Sequence, residues 1–237
     1  MAGAALAGAA HPVKRFYREA SAVGGEIQLD GRPVRTPARR PLAVPSERLA
    51  QAIAAEWTAQ SERIDPATMP LTGLANAAID RVAPDRAAFA RGLAAYGESD
   101  LLCYRADAPP RLVERQTVLW DPLLAWARQR YDVDFVLVHG VVHRPQPRAT
   151  VERLARAVAA RPAFELAALS PLVTISGSLI VALALAEGAI GAEAAWAAAT
   201  LDEQWQAEQW GEDAEDAKAL AARRRDFAAG CRFLALL

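Results

Sequence analysis

Prolines at positions 33, 37, 41 and 45 separate two stretches of chain with different hydrophobic rhythms, so no single repeating architecture accommodates the whole sequence. Each proline lacks a backbone N–H and fixes its own φ, and the segment they punctuate is therefore extended rather than part of a regular helix or central strand. Upstream, Phe16 and Tyr17, the Gly24-Gly25 pair, Ile27 and Leu29 alternating with polar residues, and Asp30-Gly31 before Val34 predict a small antiparallel meander with tight turns. Gly31 and Pro33 are read as structural residues of that meander. Downstream, Ser46 is placed to cap a helix reaching about Ser61, and Leu49, Ile53 and Trp57 recur every fourth residue as one apolar stripe, which predicts burial and a structural role for Trp57.

After Pro70 the spacing becomes helical, with one exception. Leu71, Leu74, Ala75, Ala78, Ile79 and Val82 form a stripe, Phe89, Leu93 and Tyr96 another, and Val113, Gln116, Leu119 and Trp120 a third. Pro122 is expected to kink or restart that helix before residues 123–131. Residues 133–142 are rich in β-branched side chains around Gly140 and predict a short strand or hairpin. Helices are expected again over residues 150–160, 162–169, 171–187, 192–209 and 213–236. The fold class is therefore α+β and mostly helical, with an α/β unit over residues 1–75 and a helical bundle carrying a short β-hairpin over residues 76–237. No internal repeat or low-complexity linker interrupts the 237 residues.

The balance of 27 basic and 28 acidic side chains leaves a formal charge of −1, which argues against a nucleic-acid partner. The apolar run over residues 172–186 contains Thr174, Ser176, Gly177 and Ser178 and falls short of the ~20 residues a membrane span needs. Lys14 and Arg15 follow the alanine-rich opening instead of preceding it, the reverse of a secretory signal, and a cytoplasmic location is expected. Cys103 and Cys231 sit in apolar stretches and read as buried reduced thiols.

A search for chemistry returns little. His139 and His143 have the spacing of a zinc-binding helix, but the residues between them are Gly140, Val141 and Val142; on a strand the pair would lie ~13 Å apart, so no metal is expected. His11 lies close to the amino terminus. Ser176-Gly177-Ser178 lacks the context of a nucleophile elbow and is read as a place where helices approach closely. Neither Gly24-Gly25 nor the Gly188–Gly191 region matches a phosphate loop, and no cofactor is expected.

The most unusual stretch is residues 201–216, with seven carboxylates, two tryptophans and no lysine or arginine. Gly211 reads as a helix cap, and acids at Glu212, Asp213, Glu215 and Asp216 suit the first turn of the next helix. Trp205 and Trp210 flanking Glu208 are less well explained by a solvated helix end, and aromatic anchors beside acids suit a protein-binding surface. Glu203 and Glu208 are five residues apart and point ~140° from each other on a helix, which does not make a catalytic pair.

Taken in order, Lys14-Arg15-Phe16-Tyr17, Leu29-Asp30-Gly31-Arg32-Pro33-Val34, Thr36-Pro37, Glu56-Trp57, Gln60, and Met69-Pro70-Leu71-Thr72 resemble the family of F-type ATP synthase assembly factor 2. The second half continues the resemblance with Tyr96, Ser99-Asp100-Leu101-Leu102-Cys103-Tyr104-Arg105, Gln116, Trp120-Asp121-Pro122-Leu123, Ser176-Gly177-Ser178, Glu203, Trp205-Gln206 and Trp210-Gly211. His139 and His143 depart from the family pattern. The resemblance implies a non-enzymatic, ATP-independent bacterial chaperone that binds the unassembled ATP synthase α subunit as a monomer. Glu203, Trp205, Gln206, Glu208, Trp210 and Gly211 are the candidate partner-binding residues. A small-molecule hydrolase using carboxylates of the helical unit, or a structural helical module, are the alternatives.

Overall fold

The computed structural model describes residues 13–140, 144–211 and 213–237. The amino-terminal meander forms as expected: β1 (Ala20–Val23), β2 (Glu26–Leu29) and β3 (Arg32–Pro33) pair antiparallel in sequence order. Val23 pairs with Glu26 and Leu29 with Arg32, so both connections are two-residue turns. These turns need positive φ, which Gly24, Gly25 and Gly31 adopt at +58°, +84° and +75° without the steric cost a side chain would incur. Gly25 is also a close approach, since a Cβ there would lie 2.6 Å from the Val44 carbonyl oxygen. Pro33 sits at the edge of this sheet.

The proline-punctuated segment is tied down from both sides. Leu42 pairs with Val34 and Ile27 through backbone hydrogen bonds of 2.9 and 3.2 Å. Asp80 accepts hydrogen bonds from the Thr36 hydroxyl and the Ala38 N–H, at 2.7 and 2.9 Å. Ser46 caps α1 (Glu47–Thr58), which ends three residues before the expected boundary. Leu49 and Ile53 are fully buried, whereas Trp57, at the end of the stripe, is only partly so.

A 3-10 turn, Pro66–Thr68, leads to α2 (Pro70–Ala77) with Pro70 in its first turn. α2 continues as a π-helical turn, Ala78–Val82, and α3 (Arg86–Ala94) is capped by Asp85. α4 (Pro110–Tyr131) passes Pro122 as one continuous helix instead of restarting there. Beyond it the structure holds no hairpin among the described residues. Instead β5 (Val138–His139) pairs in parallel with β4 (Tyr104–Arg105). The backbone at Val136 bonds at both N–H and C=O to the Gln146 side-chain amide, each at 2.9 Å, so a side chain takes the place that a hairpin partner would occupy. Val141, Val142 and His143, the far side of the expected hairpin, lie outside the described residues.

The remaining helices are α5 (Arg148–Ala159), α6 (Ala163–Ser176), α7 (Leu179–Ala186), α8 (Ala192–Ala199), α9 (Leu201–Trp210) and α10 (Ala214–Leu236). Two breaks differ from expectation. α6 runs through Pro171 and stops at Gly177, whose φ is +65°, and the expected helix over 192–209 divides at the buried Thr200. At Gly177 an added Cβ would meet only the Leu101 side chain, at 3.9 Å, whereas at Gly230 of α10 it would sit 3.1 Å from Leu172 and 3.2 Å from the Ala168 carbonyl oxygen, so the tight approach is that of α10 to α6.

Two buried clusters hold the molecule together. One joins α3 to α8 around Trp120, Leu154, Leu169 and Leu183. The other is the sheet and α1, and it also takes in Ala168 and Phe233, with Phe164 and Phe233 stacked at 6.3 Å. The carboxy-terminal end of α10 is therefore part of the amino-terminal core. Both cysteines are free thiols; burial pushes Cys103 up to about 12 and Cys231, which is only partly buried, up to about 11. Native Cys103 should resist iodoacetamide at neutral pH and react after denaturation; alkylation of the folded protein at the unfolded rate would contradict this packing.

Candidate functional site

Seven carboxylates without a local cation would repel, and the fold resolves this by bringing arginines from elsewhere. On α9, Glu208 is held by Arg115 of α4 through hydrogen bonds of 2.9 and 2.7 Å, and Glu203 by Arg223 of α10 at 2.7 Å. The two acids diverge to opposite neighbours, as their helical spacing requires. Both pairs are substantially exposed, so each contributes ~0–1 kcal/mol to stability. Asp202 accepts from the buried Gln116 amide at 2.8 Å.

Trp205, placed among the partner-binding candidates by sequence, is turned inward and is 7% exposed. The Arg115 guanidinium lies over its ring, 4.9 Å from the centroid. Trp205 therefore supports the surface from beneath. Trp210 is the opposite case at 79% exposure. It borders a hollow of about 430 Å³ between α9 and α10, lined also by Glu203, Gln206, Gly211, Asp213 and Asp216. Gly211 ends α9 at φ +87° and ψ 166°, a conformation available essentially to glycine alone, and this turns the chain into α10. The structure thus gathers Glu203, Gln206, Trp210 and Gly211 on one hollow, and places Glu208 on the α4 side.

An exposed indole beside acids, in a shallow concavity, can anchor a protein surface that supplies hydrogen-bond donors or positive charge. Among the described residues no group of three His, Cys, Asp or Glu side chains could hold a metal; His139 instead lies 3.2 Å from Asp107, and its expected companion His143, like His11, is outside the described residues. Nor, among the described residues, is any helix long and apolar enough to cross a membrane.

The acid, tryptophan and amide of the first unit turn out to be scaffold. Glu56 is buried and caps α2, accepting from Leu71 N–H, Thr72 N–H and the Thr72 hydroxyl, each at 2.8 Å. Gln60 bonds to the Glu56 carbonyl, the Thr68 hydroxyl and the Asp65 N–H. A second cluster was not apparent from sequence. Asp100, fully buried, accepts from the Ser178 hydroxyl at 2.7 Å, Ile180 N–H at 2.9 Å and Leu102 N–H at 3.1 Å. Burial pushes its carboxyl up to about 6. Asp100 lies 78 residues from Ser178, a separation at which no local pattern signals contact.

Against this geometry, comparisons with known proteins are consistent. A family model described as ATP12 chaperone protein matches residues 14–128. The crystal structure of Atp12 from Paracoccus denitrificans is 44% identical, with a TM-score of 0.89 over 94% of this chain and 98% of that one. A putative chaperone from Agrobacterium tumefaciens is 45% identical, with a TM-score of 0.88 over 94% of this chain and 85% of that one. The mitochondrial protein atp12 of Schizosaccharomyces pombe is 28% identical over 221 residues, 86% of this chain and 76% of the relative.

Proposed function

Because the chain belongs to the ATP12 chaperone family, we propose that it is an ATP-independent assembly chaperone for F-type ATP synthase, that its client is the unassembled α subunit, and that it acts as a monomer in the cytoplasm without a catalytic step. A lone subunit exposes an apolar face built for its neighbour, and such a face associates wrongly unless covered. A protein that binds this face by mass action delays misassociation, and a neighbouring subunit that binds more tightly displaces it, with no nucleotide cycle required. The observation that carries this reading is Trp210, 79% exposed on the acid-lined hollow between α9 and α10. An exposed indole offers a large, rigid apolar area whose burial on contact with a partner contributes to binding.

Co-purification with isolated ATP synthase α and β subunits tests the reading: capture of the α subunit, and release on adding the β subunit, is expected. Trp210→Ala should weaken capture ~100-fold while leaving the melting temperature unchanged, since the side chain is exposed. Glu203→Lys sets a cation against Arg223 and should cost ~1 kcal/mol of folding, but weaken capture at least ~10-fold and reduce its salt dependence. Glu208→Lys faces Arg115 and should have the smaller effect. Full recovery of the client by Trp210→Ala and Glu203→Lys, with native circular dichroism, would remove this surface from the mechanism.

A further inference from the structure

A second concavity, of about 650 Å³, lies on the amino-terminal unit and shares no residue with the α9–α10 hollow. Its floor includes the buried Leu29 and Val34, and its wall is a series of aromatic rings. Phe16 meets Tyr17 edge-on at 5.5 Å, and Tyr17 meets Trp57 at 5.7 Å. Phe16 is 69% exposed although it is held against Tyr17. The Trp57 indole N–H is buried and has no acceptor among the described residues, an omission that folded proteins rarely tolerate without reason.

The polar groups around this hollow are unbalanced. The Arg32 side chain has no hydrogen bond or ion pair among the described residues, and the Arg35 side chain donates to the Arg39 carbonyl at 3.0 Å. The nearby acceptors are already used. The Asp30 carboxylate takes the backbone N–H groups of Glu19 and Arg18 at 2.9 and 3.0 Å, which holds it below the usual carboxylate range, and the Trp57 carbonyl takes the Tyr17 hydroxyl at 2.7 Å. The hollow thus presents an apolar floor and two arginines at its rim, against one carboxylate, Asp30, whose oxygens are engaged by backbone N–H groups. Residues 13–48 add eight basic side chains against four acidic.

We propose that this hollow is a second docking site, occupied by an extended acidic segment of the client polypeptide. Its apolar side chains pack on the ring series, and its carboxylates meet Arg32 and Arg35. The segment is extended because an extended chain sends alternate side chains to opposite sides, so apolar ones can meet the rings while carboxylates reach the arginines at the rim. A free phosphate would leave the apolar floor unused, and a nucleic acid would need a longer cationic track. This inference rests on the client proposed above and adds orientation to it: an acidic hollow at α9–α10 and a basic one at the sheet accept a client in one sense only.

The test uses the full chain with nitrogen-15-labelled indoles and a short fluorescent peptide alternating Glu with Leu and Phe, beside its Lys-for-Glu counterpart. The Glu peptide should shift the Trp57 indole resonance, assigned through Trp57→Phe, and leave that of Trp210 in place. Arg32→Glu with Arg35→Glu should weaken binding at least ~10-fold with unchanged melting, and the Lys peptide should bind at least ~10-fold more weakly. Equal binding of the two peptides, undiminished binding by the double variant, or an unmoved Trp57 resonance at millimolar peptide would overturn the site. A Trp57 shift that grows with protein concentration alone would make the occupant a second copy and overturn it too. If Trp210→Ala abolishes client capture while the Glu peptide leaves Trp57 unmoved, the chaperone reading stands and this site falls; if the peptide behaves as expected but no ATP synthase α subunit is captured, the hollow stands and the client assignment falls.

Discussion

Replacing Asp100 with asparagine should lower stability by ~3 kcal/mol, which for a chain of this size is a fall in melting temperature of ~10 °C. The carboxylate accepts from three donors, with Ser178 and Leu102 on Oδ1 and Ile180 on Oδ2. An asparagine keeps one oxygen, so its amide faces a backbone N–H and two donors are buried against each other. The damage falls on a junction, because these bonds join the segment before β4 to the first turn of α7, and Ser178 itself caps that turn by accepting from Val181 N–H at 3.0 Å. pH dependence gives an independent check. Burial raises the native carboxyl from 3.8 to about 6, so between those values the folded state binds more protons than the unfolded one. The associated stability is present at low pH and is lost as pH rises through about 6. The asparagine variant lacks this contribution, and the gap between wild type and variant should widen by on the order of 2 kcal/mol from pH 7 to pH 4.5. Chemical denaturation across that range measures it; a gap that narrows toward acid would show that Asp100 is stabilised as the anion.

Trp57→Arg should cost ~2–3 kcal/mol of folding, while Trp57→Phe should stay within ~1 kcal/mol of wild type. The arginine loses the edge contact with Tyr17 and places a guanidinium next to Arg15, whose own guanidinium already lies 4.7 Å from the Tyr17 ring centroid. Arg15 is committed there, donating to the carbonyls of Tyr17, Arg18 and Gln60, so it cannot move away from a new cation. Phenylalanine keeps the ring contact and removes an indole N–H that is buried without a partner, so its loss is offset. Thermal melting of the two variants separates the cases. An unchanged melting temperature for Trp57→Arg would mean that the position acts only in docking, and a large fall for Trp57→Phe would reveal an acceptor for the indole N–H.

Much of the local architecture was legible because its causes are local. The glycine and Asp30-Gly31 turns, the Ser46 cap, Pro70 in a first helical turn and the alternation of Ile27 with Leu29 all follow from φ/ψ preferences and side-chain periodicity within a few residues. The cap at Gly211 was readable in the same way. Where the expectation failed, a distant group had intervened. α8 and α9 separate at Thr200, beside the point where the Trp120 indole N–H donates to the Ala198 carbonyl at 2.9 Å. α6 runs past Pro171 and yields at Gly177, whose carbonyl accepts from Leu101 N–H at 3.0 Å.

By itself the sequence determined which segments could be strand or helix, which faces were apolar, and that residues 201–216 carried more negative charge than that stretch could balance. Only the tertiary structure decided where that charge went: Arg115 and Arg223 reach Glu208 and Glu203 across 93 and 20 residues, Trp205 is buried under the first of these arginines, and Trp210 is left in water. The same holds for Asp100, buried only because Ser178 and the start of α7 fold over it. Backbone preference and hydrophobic period are properties of neighbouring residues and survive in the sequence, whereas the energy of a charge or an indole depends on the groups within a few ångströms of it, and chain order does not record which ones the fold will bring there.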